Sequence, residues 1–572
     1  MRESYQNALA AGIEKRFQNL EYEVMADIVR RIQKAGKITS TADWELQRMQ
    51  ILGKSTADLR KIVASAVQFD DDEVERLYRE VVDNEYTVYK DQYLKINRKF
   101  IPYDENKELQ QITKALTQQS NEDLNNITKS MGFMVRNATG KLEFTPLGEK
   151  YNEYLDQAIT DMTSGVYDYN TLVRRLVKQM TNSGLRTERQ FAENAEDMSG
   201  VDYPSGWHNR IDVAARRALL TGFSQITGQI MDMNAEALHV DRFEVSWHMG
   251  ARPEHAAWQG KVYTKQQLID ICGLGTGPGL LGWNCRHEYY LFFPGSQRTY
   301  TDEWLAKQNA KEAETTTFRG REYNTYQATQ KQRQLETRMR AQRETVKLME
   351  AAEADSDDIT IEKCKYQAQM DEYRDFSRTM GLKTQMERVY GDLKGKVAPS
   401  KKQYQEYKQE KEKKHQEWLH SIGADGTTLK TVAEYEEAKY NKTREYILLK
   451  GYAKAVSKGD ISVLVGFDVY RQTADEVEKK IIGMETSDGI KIESYATHFI
   501  DRVIGQTSTS HPGMRMGVPV DDAYKALKTG KPTQEKKMKS GDVRKMYFGN
   551  SCSVVISVTD YRLIQTNPRG EN

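Results

Sequence analysis

The chain has 572 residues, 38% of them hydrophobic and 29% charged, and its 84 basic and 83 acidic side chains leave a formal net charge of +1. That length exceeds one ordinary core and predicts three or four domains, and the balanced charge excludes a chain-wide field for nucleic acid, so any such site must be local. Four cysteines make no disulfide framework and point to a reducing compartment. No run of roughly eighteen apolar residues occurs, and the N-terminal MRESYQNALAAGIEKRFQNL lacks a signal-peptide core, so neither a span nor a membrane partner is expected. Tyr outnumbers Phe by 32 to 15, which suits polar, packable surfaces.

From Tyr5 to about Glu85 apolar residues recur at helical spacing, as in the stripe Leu20, Val24, Ile28 and Ile32, with Leu52, Leu59 and Ile62 continuing it. Thr39, Ser40, Thr41 and Ser55 offer N-caps to the helices that follow them. The region from Tyr86 to Glu193 reads as further helix, broken at Ile101-Pro102 and around FTPLGEK, and Ile211 to Leu238 reads as one long helix rich in small residues. Between Phe243 and Pro294 the pattern changes: FEVSWH, GKVYT and EYYLFFP look like three strands separated by Gly-rich turns. From about Thr301 the chain returns to charged helix, with Leu335, Met339 and Val346 at roughly heptad spacing, which predicts a paired helical arm. KKQYQEYKQEKEKKHQEWL predicts a solvated helix or linker. After about Gly459 come the apolar run ISVLVGF, a helix in KIESYATHFIDRVIGQ, a short helix in VPVDDAYKALKTGKP, and two strands in YFGNSCSVVISVTDYRLIQTNP turning at Asp560.

The expected architecture is multidomain and mainly α. A helical N-terminal region covers 1–240, a small central α+β module 241–298, a charged helical arm and connector 299–455, and an α+β domain 456–572.

The central module concentrates His248, His255, Cys272, Cys285 and His287 within about fifty residues, beside three of the seven Trp. Cys285 and His287 stand two apart, and with Cys272 and His255 they could form a structural zinc site, although zinc sites normally present two close pairs and only one is present here. The same residues also read as a buried cysteine, a hydrogen-bonded structural histidine and turn-forming glycines.

HMGARPEHAAWQGKVYT followed by GWNCRHEYYLFFPG resembles the phage minor capsid protein 2 family, relatives of the Mu F-like minor head proteins found beside the portal gene. The likeness extends into TADWELQRMQILG, YQATQKQRQLE and YRDFSRTMGL. The family often carries a Cys where this chain has Leu281, which weakens the case for zinc. The resemblance implies a low-copy virion protein, inside the capsid or at the portal vertex, whose partners are the portal and other head proteins. The balanced charge gives a DNA-binding role little support, though a basic face containing Arg210, Arg216 and Arg217 could touch packaged DNA.

In the C-terminal domain His498 and Arg502 lie at i and i+4, hence on one helix face. Arg544, Tyr547, Ser551, Ser553 and Thr566 lie in or beside the terminal strands. An imidazole, a guanidinium and hydroxyls are what metal-independent RNA cleavage needs: a base for the 2'-hydroxyl proton, an acid for the leaving oxygen and a cation for the phosphate. The element order resembles the barnase, EndoU, colicin E5/D and RelE-like nuclease group, whose phage branch is fused to minor capsid proteins. That resemblance implies an RNase or tRNase needing no cofactor, acting in the host cytoplasm as a toxin-like effector. His498 would be general base or acid, Arg502 a phosphate ligand, Ser553 and Thr566 site-lining residues. Arg544 and Tyr547 would contact RNA, joined by His511 and Arg515 from the insertion TSTSHPGMRMG. The alternative is an inactive packing or interaction module.

Overall fold

The structure is a computed structural model that describes residues 2–36, 57–65, 71–137, 142–164, 166–187, 209–282, 285–390, 397–505, 515–538 and 541–569. The capping positions Thr39, Ser40, Thr41 and Ser55, and also His511, lie outside them. The fold is multidomain and mainly helical, with small sheets. It divides into two compact units, one of Met1–Phe318 with Glu322–Gln403, the other of Arg319–Arg321 with Tyr404–Asn572.

In the first unit the predicted stripe is real: Ile13, Phe17, Leu20, Val24, Ile28 and Ile32 of the Arg2–Gly36 helix are all buried. This helix packs on the Ile211–Leu238 helix, which also carries the Asp71–Tyr86 and Lys107–Lys129 helices. Gly222 lets the last two come close, since a Cβ there would lie 1.7 Å from the Tyr78 hydroxyl. The helix starts are set by side chains that satisfy free N–H groups: Asn106 accepts from Leu109 N at 3.0 Å, and Asp168 from Thr171 N at 3.0 Å.

The reading of 86–193 as helix broken only at Ile101-Pro102 and around FTPLGEK is corrected. Met131–Arg136 pairs antiparallel with Leu142–Pro146 and on its other side with Leu185–Thr187. The short apolar run Phe133-Met134-Val135 carries the strand signal, and Gly132 is needed because a Cβ there would meet Thr145 O at 2.2 Å.

The central module has the three strands predicted. Arg242–Val245 lies between Val262–Thr264 and Tyr289–Leu291, with Phe243 opposite both Tyr263 and Leu291. Phe243, Val245 and Tyr289 belong to the same buried cluster as the helices, so the module is one face of a larger core. The Tyr289 hydroxyl donates to Gly228 O at 3.2 Å, tying the last strand to the long helix.

Thr325–Ala351 and Ser356–Thr379 pair as the predicted hairpin, with Leu335, Met339 and Val346 buried. Its charges are not all solvated: Glu336, Arg340, Arg343, Glu344 and Glu362 are buried too. Arg340 Nη2 reaches Glu21 Oε2 at 2.7 Å, Arg340 Nε reaches Glu344 Oε1 at 3.0 Å, and Arg340 also pairs with Asp212. Arg210 Nη2 completes the junction, 2.7 Å from Glu21 and 3.0 Å from Glu344. Arg216 pairs with Glu14 at 3.1 Å. Arg210 therefore faces carboxylates inside the protein, Arg216 is engaged with Glu14, and Arg217 is half-buried, so these residues do not make the open basic face expected for DNA.

The second unit has its own core. Tyr452 of the Arg444–Lys458 helix is buried in it and donates to Ile422 O at 2.7 Å, so this core reaches upstream of the composition change at Gly459. The sheet order is Lys531–Pro532, Val543–Phe548, Cys552–Ser557, Arg562–Pro568 and Ser494–Tyr495, with only the last pair parallel. The sequence predicted two of these long strands. Val543–Phe548 went unread because Arg544 and Lys545 interrupt its apolar character. The Thr497–Ile504 helix packs against Arg562–Pro568, and the Val520–Thr529 helix against Cys552–Ser557.

Candidate metal centre and C-terminal polar cluster

Three of the expected donors in the central module converge. His255 sits on the short Pro253–Ala256 helix, Cys285 and His287 in the loop before Tyr289–Leu291, and their ligand atoms all lie within 4.8 Å of one another. Both histidines are buried and Cys285 is half-buried. The preceding loop needs its glycines: a Cβ on Gly279 would lie 2.0 Å from Gly273 O, and one on Gly282 2.2 Å from Gly277 O. Leu281, between them, is left-handed with φ of 61°.

Around the trio, His287 Nε2 meets Gln259 Oε1 at 2.9 Å, and His255 Nε2 meets Pro278 O at 2.8 Å. Burial pushes His287 down to about 2, helped by the nearby His248, His255 and Arg252, and burial also lowers His255, so both rings are neutral. Burial raises the Cys285 thiol against the pull of backbone hydrogen bonds.

Cys272 is not part of this group. It is a core residue, 1% exposed, with a thiol pushed up to about 12 chiefly by burial. His248 packs edge-on against the His287 ring, centroids 4.8 Å apart, with its Nε2 3.1 Å from Ser246 Oγ. What could be read in advance was Cys285-x-His287. Gln259 and the Pro278 carbonyl have no sequence signature.

In the second unit His498 and Arg502 do share a face: Arg502 Nε donates to His498 Nε2 at 3.1 Å. The other ring nitrogen, Nδ1, lies 3.3 Å from Asp501 Oδ2, and the Tyr470 hydroxyl donates to Asp501 Oδ1 at 2.9 Å. A chain Tyr470–Asp501–His498–Arg502 results, with the His498 side chain 43% exposed and Asp501 at 11%. Arg515 joins it, donating to Arg502 O at 3.3 Å and Thr566 O at 3.2 Å. Burial, then the charge of Arg502, lowers Arg515 to about 10. Two guanidiniums sharing one half-buried corner favour an anion there. Asp501, three residues after His498, was readable from spacing; Tyr470 was not.

The remaining residues expected at this site are engaged elsewhere. Thr566 is fully buried and donates to Ser553 O at 2.9 Å, and Ser553 is buried as well, so both hydroxyls belong to the sheet interior. Tyr547 is fully buried and donates to Asp488 Oδ1 at 2.7 Å. Arg544 Nε donates to Asp542 Oδ2 at 2.7 Å. Ser551 Oγ donates to Asp522 Oδ2 at 2.9 Å. Arg544 and Tyr547 lie on a strand separated by Cys552–Ser557 from the one that carries the His498 helix.

Among the described residues no helix is long and apolar enough to cross a membrane. A family model described as phage minor capsid protein 2 matches residues 2–377, nearly all of the first unit. The chain belongs to the phage minor capsid protein 2 family, and is a structural protein of the phage head, carried in the virion among other head proteins. No curated protein and no solved structure matches the chain.

Proposed function

We propose that the chain is a portal-associated minor head protein whose second unit carries a metal-independent ribonuclease site. The structural half of this reading is supported by the family match over 2–377. Its portal association is tested by co-purification with portal protein from infected cells, and absence of the chain from mature particles would end it.

The enzymatic half is supported by one observation, the chain Tyr470–Asp501–His498–Arg502 with Arg515 beside it. Arg502 donates to Nε2, so that nitrogen carries the lone pair and Nδ1 carries the hydrogen that faces Asp501. This is the tautomer a general base requires. A substrate phosphate would draw the Arg502 guanidinium off Nε2, and Arg502 and Arg515 would balance its charge. The freed Nε2 would then accept the 2'-hydroxyl proton, with Asp501 holding the ring in place, as the 2'-oxygen attacks phosphorus, the bond from phosphorus to the 5'-oxygen breaks and the leaving oxygen takes a proton from solvent. Tyr470 fixes Asp501 from behind.

Purified full-length protein is incubated with total RNA in the presence of a chelator, beside His498→Ala and Arg502→Ala. Cleavage by the wild type, reduced about 10²- to 10⁴-fold in His498→Ala, supports the base role. Intact RNA with folded wild-type protein leaves the second unit as a packing or interaction module of the head.

A further inference from the structure

We infer that His255, Cys285 and His287 bind one thiophilic divalent cation of the zinc class, through the Nδ1 atoms of both imidazoles and the Cys285 sulfur. The distances carry the inference. His255 Nδ1 and His287 Nδ1 are 3.3 Å apart, and Cys285 Sγ lies 3.8 Å from the first and 3.7 Å from the second. Tetrahedral zinc, with bonds of about 2.0–2.1 Å to nitrogen and about 2.3 Å to sulfur, has N–N edges of about 3.3 Å and N–S edges of about 3.6 Å. The triangle of donors therefore has the size of one face of that tetrahedron.

The surroundings orient those donors. His248 N–H donates to Gln259 Oε1 at 2.9 Å, which fixes the amide with its oxygen inward. That oxygen then requires a hydrogen on His287 Nε2 at 2.9 Å, so Nδ1 presents a lone pair. Pro278 O, 2.8 Å from His255 Nε2, asks the same of the second ring. Arg252 Nη2 competes for that nitrogen at 2.7 Å while also donating to Pro278 O at 3.0 Å. In metal-free protein this contact favours the other His255 tautomer, with a proton shared between the two Nδ1 atoms. On binding a cation through Nδ1, His255 would carry its proton on Nε2 instead, donating to Pro278 O while the Arg252 guanidinium gives up that nitrogen, and the Cys285 thiol would release its own proton to solvent on becoming a thiolate ligand. Imidazole and thiolate together select zinc or cobalt over magnesium or calcium. The backing of each ring by a carbonyl oxygen is the usual support for metal-ligating histidines. With three protein donors the fourth position falls to water or a further ligand. The cation would pin the Pro253–Ala256 helix to the entry of the Tyr289–Leu291 strand.

Full-length protein stripped with chelator is titrated with Co²⁺, then with Zn²⁺, and followed by absorbance. The expected result is about one Co²⁺ per chain, a thiolate-to-cobalt band, four-coordinate visible absorption and displacement by zinc. Cys285→Ser should lose the thiolate band while Cys272→Ser keeps it, and Gln259→Leu should weaken binding about 10- to 100-fold. A wild-type titration with no thiolate band overturns the proposal whether or not Cys285→Ser folds, and so does an equal band in Cys285→Ser.

Discussion

Arg340 Nη2 donates to Glu21 Oε2 at 2.7 Å across 319 residues of sequence. Glu21 is fully buried on the Arg2–Gly36 helix and is shared with Arg210, so one carboxylate joins three helical segments. Glu21, Asp212 and Glu344 face Arg210 and Arg340 with no solvent between them to screen the charges.

Removing Arg340 leaves Glu21, Asp212 and Glu344 buried with Arg210 alone to face them, whereas removing the Glu21 charge leaves two carboxylates facing two arginines. Arg340→Met is expected to cost about 3–5 kcal/mol, measured by urea unfolding of the full chain, and Glu21→Gln less, since Asp212 and Glu344 still face both arginines. The double variant should lose less than the two single losses added together, because the Glu21–Arg340 pair is counted in both single losses and is lost only once. Additive losses would show that the pair is not coupled.

Gly279→Ala should destabilise by about 1–3 kcal/mol, because its Cβ would sit 2.0 Å from a backbone oxygen that cannot move alone. Gly148→Ala, at the start of the Leu147–Thr163 helix with nothing within 4 Å, should be neutral or stabilising by about 0.4–1 kcal/mol. Thermal midpoints of the two variants decide it, and equal shifts would contradict the crowding described at Gly279.

Burial would raise Asp488, but hydrogen bonds from Lys545, Thr486 and Tyr547 outweigh it and hold the carboxyl at about 2 instead of 3.8. The unfolded chain thus binds more protons than the folded one between those values. The stability from this group is complete above pH about 4 and is lost as pH falls toward 2. Asp488→Asn should flatten this part of the acid limb. An unchanged unfolding midpoint-against-pH curve in the variant would refute the assignment.

Tyr547→Phe removes a buried hydroxyl bonded to that carboxylate and should cost about 1.5–3 kcal/mol, read by chemical denaturation. RNA cleavage or binding by the folded variant should be unchanged. A loss of RNA affinity at unchanged stability would instead return Tyr547 to the role expected from its place on a terminal strand.

Much of the fold was written locally. The Leu20 to Ile32 stripe, the heptad-like Leu335, Met339 and Val346, and the three strands of the central module each follow from residue periodicity, and all are buried or paired as expected. The Met131–Leu142 hairpin was lost among polar helices because its strands are short and only partly buried. Arg340 and Glu344 look like solvated helix charges in sequence, since nothing nearby announces counter-ions at Glu21 and Asp212. At the sites, spacing found the pairs Cys285/His287 and His498/Arg502. It could not distinguish a strand residue facing the core, such as Thr566, from one facing a cleft, because that depends on which sheet face the helices cover. Cys272 was grouped with the donors by proximity in sequence, but the turn after the Lys265–Asp270 helix buries it in the core.

The ion junction also sets an order of events during synthesis. Glu21 leaves the ribosome long before either arginine that neutralises it: Arg210 follows after 189 residues and Arg340 after 319. At roughly 5–20 residues per second, the second delay is on the order of 15 to 60 s. Through that interval the Arg2–Gly36 helix has an apolar stripe interrupted by a carboxylate with no cation to bury it against. The junction is therefore complete only once the Thr325–Ala351 helix, the last of its three segments to be made, reaches the first.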